Sequence, residues 1–165
     1  MYDHLDGLLA LAGHHAQTVL VDLKMRSLVP TWVLVNDNAQ VQIVGTPWDD
    51  EHEKNRVARK MRFEMRRRKT IAYSFVTEAW TATVEAHELD LERRELKDPM
   101  RKPAHRADRQ EVVIACAADK SGVMLWRQWR IVRDWQDQIV RLEEKPFPFS
   151  VTEHQPQSWL AEMLQ

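Results

Sequence analysis

Apolar residues recur every three or four positions along two stretches of the chain, and this spacing predicts two main helices. The first stretch covers residues 3–28 and should end before Pro30, because proline disfavours helical geometry in the residue before it. The second runs from about Pro47 to Arg67, and Thr46 before Pro47 is typical of a helix start. The predicted buried stripe of this second helix consists of Val57, Ala58, Met61 and Met65.

Runs of β-branched and aromatic residues predict an antiparallel sheet. The expected strands cover residues 31–36, 40–44, 70–84, 111–118, 123–132 and 138–142. Gly122 suits the positive φ of a hairpin turn, and Ser158 is a plausible cap for a short last helix. The order of these elements predicts a single α+β domain over 1–165. It should have one antiparallel sheet of about five to six strands, both main helices on one face, and a short C-terminal helix.

Composition fits one folded domain. Hydrophobic residues make up 44% and charged residues 30% of the chain, whose formal net charge is −1. Residues 85–109 hold 14 charged side chains and two prolines, so we expect a mobile connection there. No apolar run is long enough for a membrane span, and the start of the chain is acidic where a signal peptide would be basic. The lone Cys116 predicts no internal disulfide, and we expect a cytoplasmic protein.

The second predicted helix is strongly basic. Residues 54–69 hold nine Lys or Arg against one Glu, and Arg59, Arg62 and Arg66 share a flank of the helix. Such a row can meet nucleic-acid phosphates or another acidic partner. Two alternatives stay open, namely a solvated helix face and a contact with the acidic run of the chain at 85–95.

Aromatic and arginine side chains alternate along the later strands. Tryptophan and arginine are enriched at protein interfaces, and a sheet with aromatics on both sides indicates a partner or self-association. The candidate contact residues of the sheet are Trp80, Arg127, Trp129 and Arg130.

The stretch "AYSFVTEAWT" at 72–81 places Glu78 within an apolar strand pattern. A shielded carboxylate needs a partner, and we expect an ion pair with Arg127 or Arg130. The competing hypothesis is a metal-dependent nuclease or phosphodiesterase built on Glu78, Asp108 and Glu111. No histidine lies in a recognised ligand spacing, so the favoured interpretation includes neither a metal nor another cofactor.

The pairing of "YSFVTEAW" with the downstream "DRQEVVIACAADKSG" resembles a set of small bacterial and phage proteins to which no activity is assigned. The order of elements is also similar to that of roadblock and longin domains, which are binding modules without catalysis. These resemblances imply an α+β fold and a bacterial or phage origin. The basic helix and the tryptophan and arginine sheet face, rather than these resemblances, favour a small, non-enzymatic binding protein over an enzyme.

Overall fold

A computed structural model describes residues 3–81, 89–90, 95–96, 107–146, 151–153, 160 and 163–165. The helices of this part of the chain are α1 (Asp3–Gln17), which continues as a π-helical segment (Thr18–Asp22), and α2 (Glu51–Arg67). The strands are β1 (Thr31–Asn36), β2 (Val41–Gly45), β3 (Thr70–Thr81), β4 (Leu89–Asp90), β5 (Glu95–Leu96), β6 (Gln110–Asp119), β7 (Val123–Arg133), β8 (Ile139–Lys145) and β9 (Val151–Glu153).

The main sheet is antiparallel at every pairing and runs in the order β2-β1-β3-β6-β7-β8. β9 also pairs with β7, beyond the part of β7 that contacts β8. Gly122 adopts a φ of 85° in the β6–β7 turn, as the sequence predicts. β4 and β5 form a separate two-stranded ladder. The predicted α+β class and single antiparallel sheet are confirmed.

α1 packs on one face of the sheet. Its buried residues are Leu5, Leu8, Leu9, Ala12 and Ala16. They join a core with Val76 of β3, Val113 of β6 and Trp129 of β7. Gly13 allows the closest approach, because a Cβ atom at this position would lie 2.7 Å from Cζ2 of Trp129.

α2 packs on the opposite face. Its buried residues Ala58, Met61 and Met65 are three of the four predicted, and Val57 is partly buried at the edge of the same core. This second core includes Trp32, Leu34, Tyr73, Phe75, Cys116, Met124, Leu160 and Met163. The last residues of the chain thus contribute to the α2 layer.

The prediction that both helices cover one face is wrong. Successive strand residues point to opposite faces, and β3 carries apolar side chains in both sets. Ala72 and Val76 face the α1 core, whereas Tyr73 and Phe75 face the α2 core. Both faces are therefore apolar, and each needs its own cover.

Two helix boundaries differ from the sequence-based expectation. Helical structure ends at Asp22 rather than near residue 28. α2 begins at Glu51, and its cap is Asp50, whose side chain accepts a hydrogen bond from the main-chain N–H of Glu53 at 2.7 Å. Thr46 instead accepts a hydrogen bond from Nε1 of Trp32 at 2.8 Å. Most of the charged connection at 85–109 and the predicted C-terminal helix lie outside the described residues.

Candidate functional site

Phe63 projects from α2 on the side away from the sheet. It lies two positions from both Met61 and Met65, so at 100° per residue it points nearly opposite to the buried stripe. Its exposed fraction is 65%. The residues three and four positions before and after Phe63, which are its neighbours on the helix surface, are all basic. We call this surface the outer face of α2, formed by Phe63 with Arg56, Arg59, Lys60, Arg66 and Arg67.

Two of the basic side chains of the outer face form ion pairs with glutamates of the same helix. Arg56 pairs with Glu53 at 3.4 Å, and Arg67 pairs with Glu64 at 2.7 Å, each three residues away on the same helix. The side chains of Arg59 and Lys60 make no hydrogen bond or ion pair within the described part of the chain. Arg59 and Lys60 lie four and three residues before Phe63, so they are next to it on the helix surface, one turn earlier.

The predicted row Arg59, Arg62 and Arg66 does not form one exposed site. Arg59 is exposed, but Arg62 is half-buried. The guanidinium of Arg66 donates two hydrogen bonds to the main-chain oxygen of Gln165, at 2.7 and 3.1 Å. Arg66 therefore anchors the last residues of the chain to α2.

The predicted tryptophan and arginine surface is split between the two faces of the sheet, because Arg127 and Trp129 lie on the α1 face and Arg130 lies on the opposite face. Trp129 is only 9% exposed and packs against Gly13, so it belongs to the core. The prediction that Trp129 contacts a partner is wrong. Arg127 donates a hydrogen bond to Asp6 of α1 at 3.1 Å. Arg130 pairs with Glu143 of the neighbouring strand β8. Neither arginine is unpaired on an open sheet face.

Trp80 keeps part of its predicted exposure, at 43%. The guanidinium carbon of Arg109 lies 4.4 Å from the centre of its ring, which is a cation–π geometry. This pair lies near the end of β3 and the start of β6, away from α2. A role for Trp80 in binding stays a prediction.

The prediction that Glu78 forms an ion pair with Arg127 or Arg130 is wrong. The Oε1 atom of Glu78 accepts a hydrogen bond from the main-chain N–H of Leu28 at 2.7 Å, while Arg127 and Arg130 pair elsewhere. Burial raises the pKa of Glu78, the Leu28 hydrogen bond opposes this shift, and the nearby charge of Glu111 raises the pKa further.

Glu111 has its own partner. Nε and Nη2 of Arg133 bind the two carboxylate oxygens of Glu111 at 2.9 and 2.8 Å. This bidentate arrangement fixes both side chains between strands β6 and β7. Asp108 lies in the turn before β6 and is exposed. Within the described ranges, no group of three histidine, cysteine or carboxylate side chains is arranged to hold a metal ion.

A groove of about 470 Å³ separates α2 from the β1–β2 hairpin. Its apolar lining comes from both layers and consists of Leu34, Val44, Val57 and Met61. Lys60, Glu64, Arg67 and Arg68 provide its charged lining. Glu64 accepts hydrogen bonds from Arg67 at 2.7 Å and from Arg68 at 3.1 Å, and these bonds lower the pKa of its carboxyl.

A second cavity, of about 500 Å³, shares Leu34, Gln42 and Arg68 with the groove and extends to Thr70. Two buried polar atoms in this region have no hydrogen-bond partner in the part of the chain that the structure describes, namely Oε1 of Gln42 and Oγ1 of Thr70. Thr70 is only 2% exposed. Sequence reasoning missed this groove. Its one signal was a glutamine at an inward position of β2, between two outward apolar residues.

Family models, curated proteins and solved structures were compared with the chain, and none of them matches it. The resemblance to bacterial and phage proteins stays a prediction. Among the residues described, neither helix has the length and apolar character needed to cross a membrane. The outer face of α2 and the adjoining groove are the candidate surfaces for binding.

Proposed function

We propose that this chain is a non-enzymatic binding protein of the cytoplasm that binds single-stranded nucleic acid through the outer face of α2. The observation that carries the proposal is the exposed Phe63, surrounded by five basic residues on the side of the helix opposite the core. The buried, unpaired thiol of Cys116 fits a reducing compartment.

The chemistry of the outer face matches a strand of nucleotides. Aromatic side chains stack on unpaired bases of any type, and arginine and lysine bind the phosphates that link these bases. Arg59 and Lys60 are adjacent to Phe63 on the helix surface and make no internal pair within the described residues. A base stacked on Phe63 therefore has cations within reach of its flanking phosphates.

An acidic protein is the other partner that a basic surface could accept. The exposed phenylalanine favours nucleic acid, because a stacking platform adds an interaction that depends on bases and not on charge alone. A metal-dependent phosphodiesterase lacks similar support. The two oxygens of Glu111 are bound by Arg133, and Glu78 is bound by the main-chain N–H of Leu28.

The test measures fluorescence anisotropy of labelled single-stranded DNA and RNA over a series of salt concentrations. Phe63→Ala should weaken binding by roughly 5- to 150-fold, with an unchanged salt dependence, because only the stacking interaction is lost. Arg59→Gln with Lys60→Gln should reduce the slope of log affinity against log salt by about 0.7 per lost phosphate contact.

Lys24→Gln with Arg26→Gln is the matched control. Both residues are exposed, and their substitution also removes two positive charges. They follow the π-helical segment and do not lie on α2. The control should bind like the unmodified protein. The proposal is contradicted if low-salt binding is absent, or if polyglutamate competes as well as the oligonucleotide and Phe63→Ala has no effect.

We also propose that two copies associate through β2. This outermost strand reads "VQIVG", has no charged residue, and exposes Val41 and Ile43 at 58% and 59%. The opposite strand β8 reads "IVRLEEK", and such charges protect a sheet edge from pairing. Antiparallel pairing of β2 with its copy would satisfy two-fold symmetry.

Sedimentation velocity tests the association. Ile43→Lys should abolish any dimer, because lysine at a sheet edge blocks strand addition. Val140→Lys on β8 is the control, since Val140 is also exposed on an outer strand and that edge already carries charges. A monomeric unmodified protein at high concentration would rule out this association.

A further inference from the structure

The groove between α2 and the β1–β2 hairpin combines an apolar lining with a buried polar atom, Oε1 of Gln42, that has no hydrogen-bond partner among the described residues. We propose that it receives one base of the nucleic-acid strand that lies on the outer face of α2. This inference rests on the proposed function and adds a second base-binding position to it.

The unpaired polar atoms indicate what the groove accepts. Oε1 of Gln42, which lines both the groove and the second cavity, is a buried acceptor, and the hydroxyl of Thr70 is buried in the second cavity next to Gln42; neither has a hydrogen-bond partner among the described residues. Buried polar groups are nearly always paired, because each unpaired one weakens the fold. The edge of a nucleobase presents N–H donors and carbonyl or ring-nitrogen acceptors side by side, and so it can serve both groups.

The apolar lining and the size of the groove fit the faces of a base. Leu34 and Val44 of the hairpin lie on one side, and Val57 and Met61 of α2 lie on the other. A flat heterocycle is apolar on its two faces and polar only at its edge. The volume of about 470 Å³ is within the range of small-molecule sites.

Two residues join the groove to the outer face. Lys60 and Arg67 line the groove and also flank Phe63 along the helix. A phosphate between a base stacked on Phe63 and a base in the groove would lie beside these cations. The negative charge of Glu64 does not oppose this, because Arg67 and Arg68 both bind its carboxylate.

The experiment compares a labelled single strand of about 12 nucleotides with an abasic strand of equal length and charge. The tested variants are Gln42→Leu and Thr70→Val, which remove the unpaired atoms while keeping the side-chain shape. Each variant should keep or raise the melting temperature, because a buried unpaired group is lost. Each should weaken binding of the base-containing strand by roughly 2- to 12-fold and leave the abasic strand unaffected.

Gln136→Leu is the control, since Gln136 is an exposed glutamine in the β7–β8 turn. It should change neither affinity. The same comparison in a Phe63→Ala background separates the two base positions. There, the base-containing strand should still bind more tightly than the abasic strand, and Gln42→Leu should remove that difference.

Two results overturn the inference. If Phe63→Ala alone removes all preference for the base-containing strand, the groove holds no base, although the outer face still binds nucleic acid. If Gln42→Leu and Thr70→Val bind both strands like the unmodified protein, the groove also plays no part. Absence of any oligonucleotide binding would overturn the proposed function together with the inference.

Discussion

Oε1 of Glu78 accepts a hydrogen bond from the main-chain N–H of Leu28 at 2.7 Å, across 50 positions of sequence. The carboxylate of a central strand thereby fixes the segment that leads from α1 into β1. Leu28 is itself buried in the α1 core. Glu78 thus contributes to the layer that α1 forms on the sheet.

We predict that Glu78→Gln keeps the fold at least as stable at neutral pH. The amide oxygen of glutamine can still accept the hydrogen bond from Leu28, and the substitution removes a half-buried charge close to Glu111. Glu78→Ala removes the acceptor and should cost about 1–3 kcal/mol of unfolding free energy. Urea unfolding of the three proteins at pH 7 measures both effects, and a large loss in Glu78→Gln would show that the charge itself is needed.

The raised pKa of Glu78 also predicts a pH dependence. The folded protein holds this proton more tightly than the unfolded chain, whose carboxyl has a pKa near 4.5. The stabilisation is therefore present below pH 4.5 and is lost as pH rises through the higher folded-state pKa. Glutamine does not ionise, so Glu78→Gln does not lose stability in this way. Its unfolding free energy relative to the unmodified protein should therefore increase as pH rises from 4.5 through the folded-state pKa of Glu78. An unchanging difference between pH 4 and pH 7 would contradict the prediction.

We predict that Gly13→Ala destabilises the protein by about 1–3 kcal/mol. The new Cβ atom would lie 2.7 Å from Cζ2 of Trp129, and this ring is buried between α1 and β7. Gly7→Ala in the same helix is the control, because no atom lies within 4 Å of its new Cβ. It should stabilise by about 0.5–1 kcal/mol through helix propensity. Equal effects in thermal unfolding would contradict the close approach.

We predict that Tyr73→Phe destabilises the α2 layer. The buried hydroxyl of Tyr73 donates to the main-chain oxygen of Leu160, and its removal leaves that oxygen without this donor. The expected cost is about 1–3 kcal/mol in urea unfolding. Proteolysis near the C-terminus should also become faster, because the contact joins the last residues to β3. Unchanged stability and unchanged cleavage would show that this hydrogen bond contributes little to the unfolding free energy.

We predict that Cys116 is unreactive in the folded protein. Burial raises the pKa of its thiol to about 12, so almost no thiolate exists at neutral pH. A thiol-specific aromatic disulfide should modify it only after denaturant unfolds the chain. Rapid modification at pH 8 without denaturant would indicate that the α2 core opens readily.

Local patterns predicted the elements well. The β1–β2 hairpin, the β6–β7 turn at Gly122 and the buried stripe of α2 follow from neighbouring residues, which determine turn geometry and helix periodicity. The side of the sheet that each helix covers could not be read in the same way. In β3 the alternation of Ala72 and Val76 with Tyr73 and Phe75 is apolar on both faces, and only the assembled layers separate the two sets.

The candidate site was predicted only in part. The basic character of α2 is visible in the sequence, but the engagement of Arg66 by Gln165 joins residues 99 positions apart. The partner of Glu78 is a main-chain N–H, which every residue except proline possesses and which no side-chain pattern identifies. The groove lies between α2 and the β1–β2 hairpin. A gap between two elements produces no periodic pattern in the sequence, so it could not be predicted.

The two layers need different lengths of chain to be complete. The described α1 core includes no buried residue beyond Ile139, and the partly buried Leu142 is the last to pack against it, whereas the α2 core includes Leu160 and Met163. Removing the chain after residue 146 would therefore keep the buried residues of the α1 core but take Leu160 and Met163 from the α2 core, and so uncover Trp32 and Tyr73.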